Sequence, residues 1–411
     1  MKQVFFIDVS EGLSITWDQL CASLNQKRVY NPYCKSTGFF EIFEHIILSM
    51  ILGREIIVLD GDFSQQEISS LVGCDDISIC TEHISAIEPL ASFEDLILRI
   101  SAPPKSWKIT LFTSGTTGLP KKVSHSFESI TRGVRKGPAF QSAIWGFAYN
   151  PTHMGGLQVL FQALLNGNTM IRLFQLPRTL ILDEIAARGV TNISATPTFY
   201  RLLLPPENPL SSVQRITFGG ERFDATTLDQ LSHMFPNARI TNVYASTEAG
   251  TLFVSRDDIF SVKKNFESLV KIENGELYIH RSLLGQNELC AGEWYCTGDL
   301  VELTGQTPLQ FRFLSRKTEM INVGGYKVNP NEVEDAIRTI PGVGDVRVYS
   351  KKNSVVGNII CSEVVSFQQD LTEKDIRLEL QKKLQEYKIP RMVVFVDRIK
   401  MTRTGKIQRF S

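Results

Sequence analysis

Nine consecutive residues, Thr113-Ser114-Gly115-Thr116-Thr117-Gly118-Leu119-Pro120-Lys121, concentrate the groups that cradle a polyphosphate. Glycines let backbone N–H groups turn toward an anion, hydroxyls add donors, and a lysine adds a movable positive charge. The apolar run Ile109-Thr110-Leu111-Phe112 leads into the segment and reads as the end of a buried strand. The G-x-x-x-x-G-K-[ST] spacing of a Walker loop is absent, and so are the H-R-D and D-F-G signatures of kinases.

Other residues add to this chemistry. Tyr244 ends an apolar strand and offers an amphipathic ring suited to stacking on adenine. Thr247 can hydrogen-bond a phosphate. Asp299 follows Gly298 and is expected at a loop tip, where its carboxylate can accept from two adjacent ribose hydroxyls. Arg316 offers a rigid donor fork for ribose or pyrophosphate.

The elements that must position these groups follow from periodicity. Phe39 to Leu52 carries apolar residues at helical spacing until Gly53, and Glu55 to Asp60 follows as a short buried strand. Helix–strand pairs recur at 156–165 and 169–173, at 180–188 and 191–195, and at 223–234 and 239–243. This alternation predicts parallel α/β layers. Strand-like segments punctuated by glycines take over from Leu269 to Phe313. After Ser315 the pattern predicts a helix over 330–340, strands over 343–350 and 358–367, and a helix over 371–384 opened by Thr372-Glu373. The fold class is therefore α/β, with a large N-terminal domain over 1–314 and a small α+β domain over 315–411.

Composition narrows the partners. Lysine plus arginine and aspartate plus glutamate number 44 each, so no global charge favours nucleic acid or an anionic membrane. Residues 371–411 nevertheless carry 11 basic and 5 acidic side chains. The seven cysteines show no ligand spacing and suit reduced thiols. Met1 to Asp8 is too short an apolar stretch for a signal peptide, and Phe39 to Leu52 falls short of a membrane span. A cytoplasmic location is expected.

Read together, the motifs resemble the adenylate-forming superfamily of acyl-CoA ligases, luciferases and adenylation domains. The resemblance runs from about residue 36 to the C-terminus, with six motifs in family order. Thr113–Lys121 looks like the ATP loop, and Tyr244-Ala245-Ser246-Thr247-Glu248 resembles Y-G-x-T-E with Ala245 for glycine. Tyr295-Cys296-Thr297-Gly298-Asp299 matches Y-x-T-G-D, and Arg316 opens the hinge motif. Thr318 stands where that hinge usually carries aspartate or lysine. Gly324-Gly325-Tyr326-Lys327-Val328 resembles the glycine loop beyond it, and Thr402-Arg403-Thr404-Gly405-Lys406 the terminal T-x-x-G-K pattern.

The resemblance implies roles. Glu248 supplies a hard oxygen for Mg²⁺, and Asp299 and Arg316 contact the nucleotide ribose. Lys406 is the electrostatic catalyst, bridging two anions where charge accumulates on the α-phosphoryl oxygens. His153, within Asn150-Pro151-Thr152-His153-Met154-Gly155-Gly156, borders the carboxylate end of the acid pocket, and Gly219-Gly220-Glu221 forms a pocket wall. No acidic residue lies in the His153 segment to suit an α-ammonium group. The implied reaction joins a carboxylic acid to Mg·ATP as an acyl-adenylate, then passes the acyl group to a thiol after the small domain rotates about Arg316–Thr318.

Coenzyme A is the expected acceptor, with a carrier-protein phosphopantetheine thiol as the alternative. A catalytically silent nucleotide-binding protein is a third reading. Its signature would be loss of Lys406, Glu248 or the cradle glycines, and none is lost. The lead-in to the cradle is shorter than in typical family members, which predicts missing N-terminal sheet elements and an exposed side available for a homodimer.

Overall fold

The computed structural model describes residues 3–113, 121–221, 224–286, 292–323, 326–353, 357–402 and 407–408. The segments Ile144–Phe147, Thr169–Arg172 and Asn192–Ala195 are short, apolar and bounded by helices, so they pair side by side in parallel. Arg215–Gly219 and Arg239–Ser246 extend this sheet in parallel on one side, and Val4–Asp8 on the other. Antiparallel strands Gly250–Ser255 and Leu13–Thr16 close its two edges, giving eight strands. The N-terminal strands thus occupy an edge that the short lead-in had suggested was open.

A second sheet of four strands pairs Tyr33–Lys35, Ile56–Leu59 and Lys108–Thr113 in parallel and adds Lys121–Ser126 antiparallel. The helix Phe39–Leu52 lies between the two sheets and ends at Gly53, whose φ of 64° needs no Cβ. Its Phe39 and Phe43 join Phe5, Phe6, Trp17 and Phe147 in one aromatic core, with Phe43 and Phe147 centroids 5.1 Å apart. A five-stranded antiparallel sheet follows over Ile259–Ser261, Val270–Glu273, Glu276–His280, Trp294–Gln306 and Leu309–Arg316.

The smaller C-terminal domain has its own core. Helices Pro330–Arg338 and Glu373–Gln381 pack on strands Val343–Asn353, Gly357–Ser366 and Met392–Phe395. Thr372 caps the second helix through a reciprocal pair with Asp375. No helix among the described residues is long and apolar enough to cross a membrane.

Candidate active site

Side chains on a strand alternate between faces, so every second residue of adjacent parallel strands lines one surface. Asn192, Ser194 and Thr196, Arg215, Thr217 and Gly219, and Thr241, Val243 and Ala245 do this in register. They floor a cavity of about 270 Å³, covered by the helix Met154–Leu164 through Gln158, Val159 and Gln162. His153 precedes that helix at the cavity mouth, and Gly156 packs so tightly that a Cβ would sit 2.2 Å from the Asn150 carbonyl oxygen.

The His153 ring nitrogen Nε2 lies 2.9 Å from Asp60 Oδ2, and Asn150 Nδ2 donates to the same oxygen at 3.3 Å. Asp60 is buried at the end of the strand Ile56–Leu59. No acid lies beside His153 in the local sequence. The fold brings one from 93 residues away. A buried carboxylate holding one ring nitrogen fixes the orientation of the imidazole.

Thr247, Glu248 and Ala249 form the turn between Arg239–Ser246 and Gly250–Ser255. Three separate segments hold its three consecutive carbonyls. His125 Nε2 donates to Thr247 O at 2.7 Å, Gly285 N–H to Glu248 O at 2.7 Å, and Arg132 Nη1 to Ala249 O at 3.3 Å. His125 is wholly buried, with Ser129 Oγ at its other nitrogen, and burial holds its pKa below 6.5. It escaped the sequence reading, although its place two residues after buried Val123 put it on the inward face of a strand.

Thr247 lines the large cavity. The Glu248 side chain is half-buried, and its carboxylate forms no hydrogen bond or ion pair with another described residue. Among the described residues no cluster of three acidic, histidine or cysteine side chains could cage a metal alone. One free carboxylate next to Thr247 fits Mg²⁺, which takes few protein ligands and completes its shell with phosphate oxygens and water.

A second cavity of about 70 Å³ adjoins the first, and Gly220, Val243 and Ala245 line both. Tyr244, Asp299 and Arg316 line its far side. Asp299 does not sit at a loop tip. Gly298 has φ of 73°, yet it lies within the strand Trp294–Gln306, where Asp299 pairs across the ladder with Arg316. The buried Asp299 carboxylate is 3.1 Å from Arg316 Nε and accepts the Tyr244 hydroxyl at 2.5 Å. That carboxylate pushes the arginine's pKa up, and burial pushes the tyrosine's up. The Tyr244 ring also packs against Phe253, Phe260 and Phe311, so part of its surface serves the core.

Glu221 stands where the two cavities meet the C-terminal segment. Its Oε2 accepts from Thr198 Oγ1 at 2.6 Å and Thr198 N–H at 3.2 Å, and its Oε1 accepts the Ile407 N–H at 3.0 Å. Ile407 forms an isolated antiparallel bridge with Met401. Thr113 ends its strand in register with Lys121, which is exposed. Ser114, Gly115, Thr116, Thr117, Gly118, Gly324, Gly325 and Lys406 lie outside the described residues.

The family model of AMP-binding enzymes matches residues 56–271, and that of their C-terminal domain matches 332–406. The chain belongs to the AMP-binding enzymes, and with them to the adenylate-forming ligases. It is 23% identical to the 2-succinylbenzoate–CoA ligase of Staphylococcus epidermidis, covering 98% of this chain and 93% of that one. It is 24% identical to a part of bacitracin synthase 3 of Bacillus licheniformis, covering 73% of this chain but only 5% of that protein. Among solved structures, o-succinylbenzoate CoA synthetase from Bacillus subtilis with its acyl-adenylate superimposes at a TM-score of 0.70 and 19% identity. ATP-bound MatB from Rhodopseudomonas palustris gives 0.72 at 17%. Each match covers 99% of this chain and 94% of the other, so the fold is shared along almost its whole length.

The neutral, buried His125 sets an acid limit on stability. Its pKa is depressed in the fold, so the unfolded chain binds the proton that the folded chain refuses as pH falls below 6.5. Denaturant midpoints should therefore fall with acidification through that window. His125→Gln, which keeps a donor for Thr247 O, should be less stable at neutral pH but show a shallower acid decline. An unchanged acid slope would show that His125 does not carry it.

Proposed function

We propose that this enzyme converts a carboxylic acid and Mg·ATP into an acyl-adenylate and pyrophosphate, then transfers the acyl group to the thiol of coenzyme A with release of AMP. The observation that carries this reading is the shared wall. Gly220, Val243 and Ala245 separate an acid-sized cavity from one edged by Asp299, Arg316 and Tyr244, and the Ile407 N–H is tied to that wall through Glu221.

In the first step a carboxylate oxygen bonds to the α-phosphorus while the bond to pyrophosphate breaks. The cradle Thr113–Lys121 and Thr247 bind the phosphates, and Asp299 with Arg316 binds the ribose; Glu248 would hold Mg²⁺, which would supply positive charge to offset the negative charge of the phosphates. Lys406, next to the tied Ile407, stabilises the charge that builds up between the two anions. His153, fixed by Asp60, borders the acid's carboxylate end. In the second step the thiol sulfur attacks the acyl carbonyl and AMP leaves, a split made easy by the mixed anhydride. Between the two steps the small domain over 315–411 moves about Arg316–Thr318, withdrawing Lys406 and presenting the Gly324-Gly325 face to the thiol.

The cavity's far end supports a substrate class. Arg215 lies four residues before Gly219 on the same strand, roughly 13 Å away at strand rise. Its guanidinium stacks on Phe140 at 5.2 Å, and neither it nor nearby Arg135 forms an ion pair with a described residue. Two uncompensated guanidiniums suit an acid with a second negative group at its distal end. 2-Succinylbenzoate, named in the matched ligases, has that character. Asp60, shared by His153 and Asn150, is a poor partner for the α-ammonium of an amino acid.

AMP formation from ATP should require both the acid and Mg²⁺, and CoA should raise it. A phosphopantetheinylated carrier protein that replaced CoA with higher kcat/KM would shift the acceptor to the alternative. Lys406→Ala should abolish adenylate formation yet leave thioester formation from supplied acyl-adenylate largely intact. Equal loss of both steps would contradict the moving-lid scheme. Arg215→Ala should raise KM for 2-succinylbenzoate by about 10–100-fold, the cost of one charge-assisted hydrogen-bonded contact, and barely change it for benzoate. Parallel loss for both acids would remove the distal anion from the account.

A further inference from the structure

Arg201 touches neither cavity, and its side chain is only 3% exposed. It sits on the short helix Pro197–Leu202 and reaches groups of both domains. Its Nη2 donates to Thr198 Oγ1 at 2.9 Å, and Thr198 in turn donates to the Glu221 carboxylate that accepts the Ile407 N–H. Its Nε lies 3.0 Å from Oδ1 of Asp345, on the strand Val343–Asn353 of the C-terminal domain. Glu221 and Asp224 of the large domain each approach the same guanidinium at 3.9 Å.

The charges explain why a buried arginine is needed here. Glu221, Asp224 and Asp345 converge from two domains, with Glu334 and Asp335 nearby on the helix Pro330–Arg338. Arg338 answers part of this from the C-terminal side, at 3.8 Å from both Asp224 and Asp345. Without Arg201 the carboxylates on the two sides would repel, and Asp345 would press the small domain away from Glu221. Removing one partner of a buried pair leaves the other charge uncompensated, a larger effect than the loss of one hydrogen bond. Moving the small domain separates Asp345 from Arg201, so only the arrangement in which Ile407 is tied benefits from the contact.

We infer that Arg201 is a positioning residue for adenylate formation, acting through Glu221 and Asp345 to hold the segment after Lys406 at the wall between the cavities. The inference rests on the proposed two-step reaction. It requires Arg201 in the first step and not in the second, a distinction that a general stabilising role would not produce.

The test uses the full chain as wild type, Arg201→Gln, Arg201→Lys and Asp345→Asn. Three quantities are read: hydrogen exchange at the Ile407 amide, pyrophosphate release from ATP with 2-succinylbenzoate, and thioester formation from supplied 2-succinylbenzoyl-adenylate and CoA. Arg201→Gln should exchange faster at Ile407 and release pyrophosphate at least about tenfold more slowly, with thioester formation within about twofold of wild type. Arg201→Lys, which keeps the charge but loses the fork, should recover part of the first step. Asp345→Asn, which keeps the side-chain shape, should show the same asymmetry in milder form. Equal loss of both steps, or unchanged exchange at Ile407, in folded variants would overturn the inference. A wild type that releases no pyrophosphate would contradict the proposed function instead, and exchange at Ile407 alone would then decide whether Arg201 positions the segment.

Discussion

The alternation of one strand, Arg239–Ser246, governs the arrangement of this molecule. Thr241, Val243 and Ala245 face the large cavity, while Asn242 and Tyr244 line only the smaller one. One face meets the helix Met154–Leu164 and the other the antiparallel sheet that carries Asp299 and Arg316, so a single backbone divides two cavities. The turn that ends the strand must then be immobile, because Thr247 and Glu248 project from it. Hydrogen bonds from His125, Gly285 and Arg132 to three successive carbonyls supply that rigidity.

Charge is distributed by the same logic. Where ionised groups are buried away from the cavities they are matched: Asp8 with Arg172, Glu334 with Arg338, and Arg201 with Asp345. Where they face a cavity they are held on one side only. Asp299 is braced by Arg316 and Tyr244, and His153 by Asp60 behind it, whereas Arg215 and Arg135 have no ion-pair partner among the described residues. Pairing a buried charge within the protein fixes geometry, and leaving a cavity charge unanswered reserves it for a ligand. The chain's overall neutrality conceals this contrast.

Much of this was legible in the residues alone. The helix over Phe39–Leu52, its stop at Gly53, the strand–helix alternation of the large sheet and the Thr372 cap all follow from local rules, because periodicity and capping are encoded within a few residues. Asp299 was misplaced because a glycine with positive φ before a carboxylate reads as a turn, whereas here it bends a long strand that continues past it. Asp60, His125 and Arg201 were missed for a different reason. Their partners lie 93, 122 and 144 residues away, and no local pattern encodes a contact made by chain topology. The Arg215 and Arg135 pair was equally invisible, since only the packing of a strand end against a loop 80 residues earlier brings two ordinary arginines to one cavity.

The central claim is that the two cavities let a carboxylate oxygen form a bond to the α-phosphorus of ATP. Incubating the enzyme with Mg·ATP, CoA and 2-succinylbenzoate labelled with ¹⁸O in both carboxylates tests this directly. Mass spectrometry of the products should find one labelled oxygen in each AMP and none in pyrophosphate. Unlabelled AMP, or label in inorganic phosphate, would contradict the acyl-adenylate and place the bond-forming step elsewhere.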